Sequence, residues 1–237
     1  MNRCEQSAVI TGGTGNLGRA VVDTFLDGGY SVFIPYHDEG KWGTFKETFD
    51  PEIADRIQGV PADLTEEADV RRMARKAEEE IGPPDVLLNL VGGFAFGDTI
   101  WGTDLSTWRK MMDMNLTTTF LCCKHMIPCM QERGGRIVNV SSKAALDLQP
   151  GSAAYAVSKA GIITLTRMLH EELKDTNITA NAIMPSIIDT PVTRDIMPGG
   201  DPEKWVQPGE IADTLLAVCS GQCDALSGSV LRLFGEI

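Results

Sequence analysis

The feature that most constrains this chain is a glycine-rich segment at residues 11–18, which reads TGGTGNLG. An apolar run at residues 8–10 precedes it, and a helical pattern at residues 16–27 follows it. Glycine lets the backbone turn tightly and approach a ligand closely, because no Cβ stands in the way. The unpaired N–H groups and the positive dipole end of the helix favour a pyrophosphate at the same place. This strand–turn–helix context predicts a dinucleotide-binding turn rather than a tight turn without a ligand.

Strand and helix patterns alternate along the whole sequence. The predicted strands are residues 7–11, 31–34, 58–62, 86–90, 136–141, 179–184 and 229–233. The predicted helices are residues 16–27, 43–57, 66–81, 106–132, 154–174 and 208–220. This alternation indicates βαβ units, in which helices cover both faces of a parallel sheet. We therefore predict an α/β fold with a doubly wound parallel sheet (Rossmann fold) of about seven strands, formed by a single domain over residues 1–237.

Two longer loops follow predicted strands, at residues 90–101 and 185–207. Ligands bind at the carboxyl ends of the strands in open α/β sheets, so both loops are candidates for a binding site. The second loop is long enough to act as a substrate lid.

Composition argues against several classes of function. The formal net charge of −12 disfavours nucleic acid as a partner, because proteins that bind it present a basic face. The sequence has no apolar run long enough to cross a bilayer and no signal-peptide pattern ahead of the first strand. We therefore expect a cytoplasmic protein without a membrane partner. The six cysteines and three histidines lack the spacing of a ligand set, so we predict no metal site.

Tyr155 and Lys159 are four residues apart in a predicted helix, which puts both side chains on one face. A neighbouring ammonium stabilises a phenolate, so the pair can serve as a tuned general acid and base. Taken alone, the pair is more often a packed tyrosine and a solvated lysine, because Tyr-x-x-x-Lys occurs often by chance. Ser142 follows the predicted strand 136–141, where it could bind a substrate oxygen or cap a turn.

Two further polar residues stand at unusual places. Asn115 lies in the middle of a long helical pattern, where asparagine is a poor helix former. Asn115 is either a tolerated residue on the protein surface or a residue whose side chain bonds to a specific partner. Asp63 follows a predicted strand, where an N-cap role and a cofactor role are both open.

Together these residues make the chain resemble the single-domain short-chain dehydrogenases/reductases over essentially its full length. Asn115, Ser142, Tyr155 and Lys159 occupy the places of that family's catalytic tetrad. The resemblance implies an NAD(P)-dependent oxidoreductase in which Tyr155 exchanges a proton with a carbonyl or alcohol substrate. Lys159 would hold the nicotinamide ribose and lower the pKa of Tyr155. Ser142 would polarise the substrate oxygen, and Asn115 would hold a water.

The resemblance also implies a set of cofactor contacts. Residues 11–18 resemble the family's phosphate-binding turn, and Asp63 resembles the acid of the adenine pocket. Residues 89–92 (NLVG) stand where the family has Asn-Asn-Ala-Gly, and residues 185–190 (PSIIDT) resemble its Pro-Gly-x-x-x-Thr. The implied cofactor-binding residues are Gly12, Thr14, Gly15, Asn16, Leu17, Gly18, Tyr36, His37, Asp63, Leu64, Asn89, Val91, Gly92, Tyr155, Lys159, Pro185, Ile188 and Thr190.

The chain departs from the family pattern at three places, one of which is Leu90 and Val91 in the segment 89–92. Asn16 replaces a small residue in the glycine turn, and Ser186 replaces a glycine. Segments of the substrate loops, among them residues 92–95 and 143–147, resemble the dihydropteridine reductases. That branch typically lacks the catalytic serine, whereas Ser142 is present here.

The end of the second strand bears on the choice between NAD and NADP. An acid there would bind the ribose 2′-hydroxyl of NAD, but the corresponding position is Tyr36. Asp38 lies two residues after that position. His37 is the one candidate there for holding a 2′-phosphate. The missing acid favours NADP over NAD, and both stay open.

Six residues form the predicted substrate pocket: Phe94, Phe96, Ser142, Leu146, Met197 and Trp205. The apolar members favour an apolar or flat ring substrate, although they could equally be loop anchors. A 3-oxoacyl (acyl-carrier-protein) reductase or a dihydropteridine-reductase-like enzyme is the alternative, and a non-catalytic dinucleotide sensor is the alternative from another class. The resemblance implies that helices 106–132 and 154–174 pair between subunits, so we expect a homotetramer, with a dimer as the alternative.

Overall fold

Seven parallel strands form one sheet in the computed structural model, which describes residues 6–236. The strands are β1 (Ser7–Thr11), β2 (Ser31–Tyr36), β3 (Ile57–Pro61), β4 (Val86–Asn89), β5 (Gly135–Val140), β6 (Ile178–Pro185) and β7 (Val230–Leu233). Their order across the sheet is β3-β2-β1-β4-β5-β6-β7. The predicted doubly wound sheet is confirmed for the described range, and residues 1–5 and 237 of the predicted domain lie outside it.

Helices connect the strands throughout the described range. They are α1 (Asn16–Asp27), α2 (Glu39–Glu47), α3 (Pro51–Ala54), α4 (Glu67–Ile81), α5 (Leu105–Met111), α6 (Thr118–Met130), α7 (Ala153–Leu173), α8 (Pro191–Ile196) and α9 (Pro208–Cys219). A wider π-helical turn, Met112–Thr117, joins α5 to α6.

Two predicted helices need correction. The predicted helix 43–57 is two short helices, α2 and α3, with a break before Pro51. Asp50 has an extended backbone (φ −60°, ψ 148°), because a residue that precedes proline is disfavoured in the helical region. The predicted helix 106–132 is interrupted by the π-helical turn, which carries Asn115.

The hydrophobic core lies on both faces of the sheet. Alternate strand residues point to opposite faces, so Ala8 and Ile10 pack on one side and Val9 on the other. Helices α1 and α9 cover the first face, with Phe25 fully buried. Helices α4, α6 and α7 cover the second face, with Met126 fully buried. Burying such a side chain contributes roughly 1.5–3 kcal/mol, so each helix is fixed on the sheet by its apolar stripe.

The chain reverses its direction across the sheet between β1 and β4, which are neighbours. Strands β2 and β3 lie on one side of this point, and β5, β6 and β7 lie on the other. In such a sheet a crevice opens outside the carboxyl ends of the two central strands. The residues that follow Thr11 and Asn89 are therefore placed next to each other.

Among residues 6–236, no helix combines the length and the apolar character that a membrane span requires.

Candidate active site

The glycine turn joins β1 to α1 and leaves no space for larger residues. Gly12 has a positive φ of 72°, a conformation that glycine adopts without strain. A Cβ on Gly18 would lie 2.0 Å from the Gly12 carbonyl oxygen, so α1 can pack this closely only because residue 18 is glycine. Leu17, the second residue of α1, packs against the core of the first face.

An open cleft of about 570 Å³ leads away from this turn toward α2. Its lining residues are Thr14, Gly15, Asn16, Arg19, Asp38, Gly40, Lys41, Thr44, Phe45 and Thr48. Two of these, Arg19 and Lys41, are cations that the sequence reasoning did not assign to the site. Arg19 could have been noticed because it follows the last glycine of the turn. Lys41 was missed because the start of α2 was placed too late.

The Arg19 guanidinium forms one wall of this cleft. Its Nε donates to the Asp23 carboxylate at 2.8 and 2.9 Å. Its central carbon lies 4.3 Å from the centre of the Phe49 ring, and it also lies over the Phe45 ring. These contacts hold the cation in place beside Thr48, to whose hydroxyl it donates a further hydrogen bond.

The last residue of β2 is a tyrosine, Tyr36. Tyr36 is buried, its ring stacks on Trp42 with ring centres 4.6 Å apart, and its hydroxyl donates to Glu39 at 3.3 Å. Burial and the nearby Glu39 carboxylate raise the pKa of Tyr36. His37, the next residue, is exposed, and the Asp38 carboxylate accepts the Lys41 backbone N–H at 2.9 Å. Asp38 therefore caps α2.

Asp63 and Asn89 both lie at strand ends and bond within the protein. The Asp63 carboxylate accepts the backbone N–H and the hydroxyl of Thr65, at 2.9 and 2.7 Å, and these bonds lower the pKa of Asp63. Leu64 is buried beside it. Asn89 is buried, and its amide donates to the Asn139 side-chain oxygen at 2.8 Å. These contacts favour a role for Asp63 and Asn89 in shaping the loops that follow β3 and β4.

Val91 and Gly92 continue the chain after β4 directly over the glycine turn. A Cβ on Gly12 would lie 3.3 Å from the Val91 side chain. A Cβ on Gly92 would lie 2.9 Å from Oδ1 of Asn115 and 3.0 Å from Nζ of Lys159. Gly92 therefore brings backbone from β4 close to two of the predicted tetrad residues.

Asn115 is fully buried in the π-helical turn, and its side chain is satisfied by the protein. Its Oδ1 accepts the Gly93 N–H at 2.7 Å, and its Nδ2 donates to the Gly93 carbonyl at 3.1 Å. Nδ2 also lies 2.9 Å from the Ser158 hydroxyl oxygen, to which it donates. These bonds tie the loop after β4 to α7. The water that the resemblance implies at Asn115 stays a prediction, and the Asn115 amide itself fixes the backbone of Gly93.

Lys159 is a buried cation with one hydrogen bond among the described residues. Its side chain is on α7, and Nζ donates to the Val140 carbonyl at 2.9 Å. Burial lowers the pKa of Lys159 from 10.5 to about 8. The ammonium has three N–H groups, so two stay available beside Gly92.

Tyr155 lies one turn before Lys159 on α7, and its environment corrects one expectation. Burial raises the pKa of Tyr155, and the nearby Ser142 side chain opposes that rise. Lys159 makes no comparable contribution, because Nζ lies 6.0 Å from the centre of the tyrosine ring and bonds to Val140 instead. The expected lowering of the Tyr155 pKa by Lys159 is therefore not found in this arrangement.

Residues 185–190 leave β6 toward the proposed lid. Ser186 donates its hydroxyl to the Phe234 carbonyl at 2.7 Å, a bond that the family's glycine could not make. Ile188 pairs with Val206 in a short bridge, and Thr190 caps the start of α8 by accepting the Thr193 N–H. The segment after Pro185 is thus folded against the end of the chain.

A second cleft, of about 750 Å³, is lined by Ala154 and by Phe94, whose ring contacts Tyr155, whereas Tyr155 and the predicted Ser142 are not among its lining residues. Phe94, Phe96 and Met197 line it, together with Ile196 of α8. Leu146 does not line this cleft and is half exposed. Trp205 is 5% exposed and packs beneath Gly200, so its side chain supports the loop from below.

The residues around the glycine turn fit a dinucleotide. Thr14, Gly15 and Asn16 line an open cleft at the first turn of α1, where backbone N–H groups favour phosphate. At the other end, Lys159 Nζ lies beside Gly92 with two N–H groups that can donate to a ligand. The phenol of Tyr155 and the hydroxyl of Ser142 form a pair that can exchange a proton with an oxygen. Residues 6–236 contain no group of three or more His, Cys, Asp or Glu that could hold a metal ion.

Comparison with known proteins agrees with this geometry. The chain is similar to the 3alpha-hydroxysteroid dehydrogenase of Mediterraneibacter gnavus, with 29% identity over 250 residues that cover 96% of this chain and 95% of the relative. It is also similar to the rhamnolipids biosynthesis 3-oxoacyl-[acyl-carrier-protein] reductase of Pseudomonas aeruginosa, with 29% identity over 96% of this chain and 94% of the relative. Among solved structures, ElxO with NADP bound matches with a TM-score of 0.90 and 26% identity, over 97% of each chain. The family model described as short chain dehydrogenase matches residues 6–200. The chain therefore belongs to the short-chain dehydrogenase/reductase family of NAD(P)-dependent oxidoreductases.

Proposed function

We propose that this protein reduces a ketone to a secondary alcohol with NADPH, and that Tyr155 is its general acid. The observation that carries the proposal is that the Ser142 side chain lies close enough to Tyr155 to lower its pKa, one helical turn from the buried Lys159. Two hydroxyls and an ammonium on the side of the sheet where the glycine turn opens suit the proton transfer that accompanies hydride transfer.

Each residue has a defined task in this proposal. Bound at the glycine turn and Lys159, NADPH would supply the hydride that reduces the carbonyl carbon and would leave as NADP⁺. The Tyr155 hydroxyl donates its proton to the carbonyl oxygen, which becomes the alcohol oxygen. Ser142 donates a hydrogen bond that holds this oxygen. Lys159 donates to a ribose hydroxyl through the N–H groups that Val140 does not occupy.

The electrostatics of Tyr155 favour reduction. Burial raises the pKa of its phenol, so the hydroxyl is protonated at neutral pH and ready to donate. An acid in this form matches reduction of a carbonyl, whereas oxidation of an alcohol needs the phenolate.

Isotope transfer tests the proposal. The protein is incubated with a panel of ketones and NADPH that carries deuterium on the nicotinamide C4. We expect deuterium on the carbinol carbon of at least one product, detected by mass spectrometry. Absence of transfer to every carbonyl with either reduced cofactor, despite tight dinucleotide binding, would instead support a non-catalytic dinucleotide sensor.

We also propose that Arg19 and Lys41 select NADP over NAD. Both cations line the cleft that leads from the glycine turn. The Asp38 carboxylate lies in the same cleft, but it already accepts a backbone N–H at the start of α2. Cations beside a phosphate form charge-assisted hydrogen bonds, and a 2′-phosphate would lie within their reach. ElxO, with a TM-score of 0.90, has NADP bound.

Calorimetry with 2′,5′-ADP and 5′-ADP tests this assignment without turnover. We expect the wild type to prefer 2′,5′-ADP at least about tenfold, since hydrogen bonds to charged groups are worth about 1.5–3 kcal/mol. The double variant Arg19→Gln/Lys41→Gln should lose the preference. Lys76→Gln, which changes an exposed lysine on α4, is the control. Equal binding of the two probes by the wild type would overturn the assignment.

A homotetramer, with a dimer as the alternative, is part of the proposal. Large apolar side chains are exposed along α5, α6 and α7: Leu105, Trp108, Phe120, Val157 and Met168. Apolar patches of this kind mark interfaces between subunits. We expect sedimentation to give an assembly that Phe120→Glu with Val157→Glu dissociates. A wild-type monomer at micromolar concentration would contradict this part of the proposal.

We further propose that one domain carries both sites and that residues 185–207 act as a lid over the substrate. Ile196 and Met197 of this segment line the cleft beside Tyr155. Substrate should therefore protect the segment from proteolysis, and unchanged cleavage with bound substrate would contradict a lid.

A further inference from the structure

Three aromatic rings lead from the proposed acid toward solvent. Phe94 packs edge-on against Tyr155, with ring centres 5.1 Å apart and an angle of 84° between the planes. Phe96 stacks nearly parallel to Phe94, with ring centres 6.2 Å apart and an angle of 10°. Phe94 is 52% exposed and Phe96 is 58% exposed, so both present apolar faces to the cleft. We refer to Phe94 and Phe96 as the ring ladder.

The cleft beside the ring ladder carries negative charge. It is lined by Phe94, Ala95, Phe96, Gly97, Asp98, Thr103, Asp104, Thr107, Gln149, Gly151, Ala154, Ile196 and Met197. Asp98 and Asp104 are the charged members of this lining, and no lysine, arginine or histidine is among them. Neither carboxylate takes part in the ion pairs found within residues 6–236.

Two cations on the segments next to the cleft are already paired. Arg194 precedes Ile196 on α8, and its guanidinium is held by the Asp189 carboxylate at 2.7 and 2.8 Å. Lys143 follows Ser142, and its Nζ lies 3.5 Å from the Asp147 carboxylate. Arg109 and Lys110 of α5 are exposed and lie outside the lining, so Asp98 and Asp104 are the charged groups that face the cleft itself.

On the basis of the proposed function, we infer that the substrate is an uncharged ketone with a fused ring system, and that Asp98 and Asp104 exclude anionic carbonyl compounds. The ring ladder offers flat apolar faces on which a rigid ring system can stack while its carbonyl reaches Tyr155. A rigid ring loses little conformational freedom on binding, which favours it over a flexible acyl chain. A carrier-bound 3-oxoacyl group arrives on a phosphodiester of an acidic protein, and both would be repelled here.

This inference separates the chain from one of its relatives. The Pseudomonas aeruginosa relative is a 3-oxoacyl-[acyl-carrier-protein] reductase, and it shares 29% identity with this chain. A protein of net charge −12 with an acidic cleft mouth needs a basic patch to receive such a carrier. Within the cleft lining that patch is missing.

Matched ketones test the inference. The probes are 2-tetralone, its 6-carboxylate, and acetoacetyl coenzyme A, each with NADPH. We expect kcat/KM for 2-tetralone to exceed that for the carboxylate by about tenfold, because the two exposed carboxylates of the cleft repel an anion at short range. The ratio should shrink as salt rises from 0.05 to 0.5 M, because exposed charges are screened.

Variants identify the residues responsible. Asp98→Asn with Asp104→Asn should bring the carboxylate close to the neutral ketone in kcat/KM. The matched control is Glu172→Gln with Asp175→Asn, which removes two exposed charges at the far end of α7 and should leave the ratio unchanged. Phe96→Ala should raise KM for 2-tetralone but not for the acyclic 2-butanone, and Phe96→Leu tests whether the flat ring is needed.

The outcomes are distinct from those of the proposed function. Turnover of the carboxylate or of acetoacetyl coenzyme A as fast as 2-tetralone overturns this inference while the ketone-reductase proposal stands. An unchanged ratio in the Asp98 and Asp104 double variant overturns the assigned role of the carboxylates. Loss of the ratio in the control variant shows that total charge, and not the cleft, sets the selectivity. Absence of turnover with every probe contradicts the proposed function itself.

Discussion

Replacing Lys159 by methionine should make the ligand-free protein more stable. Lys159 is 4% exposed, and burial lowers its pKa from 10.5 to about 8. One pKa unit corresponds to about 1.4 kcal/mol, so the difference between 10.5 and about 8 costs the folded state about 3 kcal/mol at pH 7. Methionine has a similar length and no charge, and it fits the same space.

A lost hydrogen bond offsets part of this gain. Lys159 donates to the Val140 carbonyl, and an unpaired carbonyl costs about 1 kcal/mol or more. We therefore expect Lys159→Met to raise the free energy of unfolding at pH 7 by about 1–2 kcal/mol. The same variant should lose turnover, because the proposed function needs the ammonium.

The pH dependence gives the sharper test. Between pH 8 and 10.5 the unfolded chain holds a proton on Lys159 that the folded chain has released, so wild-type stability rises with pH in this window. The advantage of Lys159→Met should therefore shrink as pH rises through it. Urea unfolding at fixed protein concentration, followed by circular dichroism at pH 7 and pH 10, measures the difference.

Lys174→Met is the control for this experiment, because Lys174 is an exposed lysine that caps the end of the same helix. Its effect on stability should not change between the two pH values. A Lys159→Met variant that is less stable than the wild type by the same amount at both pH values would refute the reasoning. It would mean that the buried ammonium is fully compensated and that its pKa is not lowered.

Two further substitutions test the packing of the site. Gly18→Ala should destabilise the protein by more than about 3 kcal/mol, judged from thermal unfolding, because the new Cβ would lie 2.0 Å from the Gly12 carbonyl oxygen. Gly43→Ala is its control and should stabilise α2 by about 0.5–1 kcal/mol, since nothing lies within 4 Å of the added methyl; similar effects of the two changes would contradict the packing account. Asn115→Ala should cost about 1–3 kcal/mol in urea unfolding, because the Gly93 N–H and carbonyl lose their partner. A cost below about 0.5 kcal/mol would mean that these bonds do not hold the loop.

Local patterns predicted most of the sheet and helices. The apolar run before the glycine turn and the helical pattern after it placed β1 and α1 at the observed bounds. Strand β2 is longer than predicted because Pro35 and Tyr36 pair with β3 after pairing with β1 has ended at Phe33. A proline in a sequence suggests the end of a strand, because it has no N–H to donate. Pro35 is tolerated here because β2 pairs only with β3 at this position.

Long-range contacts explain why parts of the site could not be predicted. The bond between Asn115 and Gly93 joins residues 22 positions apart, and it accompanies a π-helical turn that the residue pattern does not reveal. Trp205 is buried because it packs beneath Gly200, a contact that depends on how the loop folds. Arg19 joins the cleft because α2 places Thr48 and Phe49 beside it. Each case depends on tertiary packing, which residue spacing alone does not determine.

The most direct test of the account is the turnover of Tyr155→Phe with a ketone that the wild type reduces, measured together with NADPH binding. The account predicts that NADPH binds with unchanged affinity while kcat falls by about 10²–10⁴-fold, the usual worth of a positioned acid. Ser152→Ala, which changes a buried serine near the start of the same helix, serves as the control and should keep most of the activity. A Tyr155→Phe variant that retains turnover within about threefold of the wild type would contradict the assignment of Tyr155 as the proton donor.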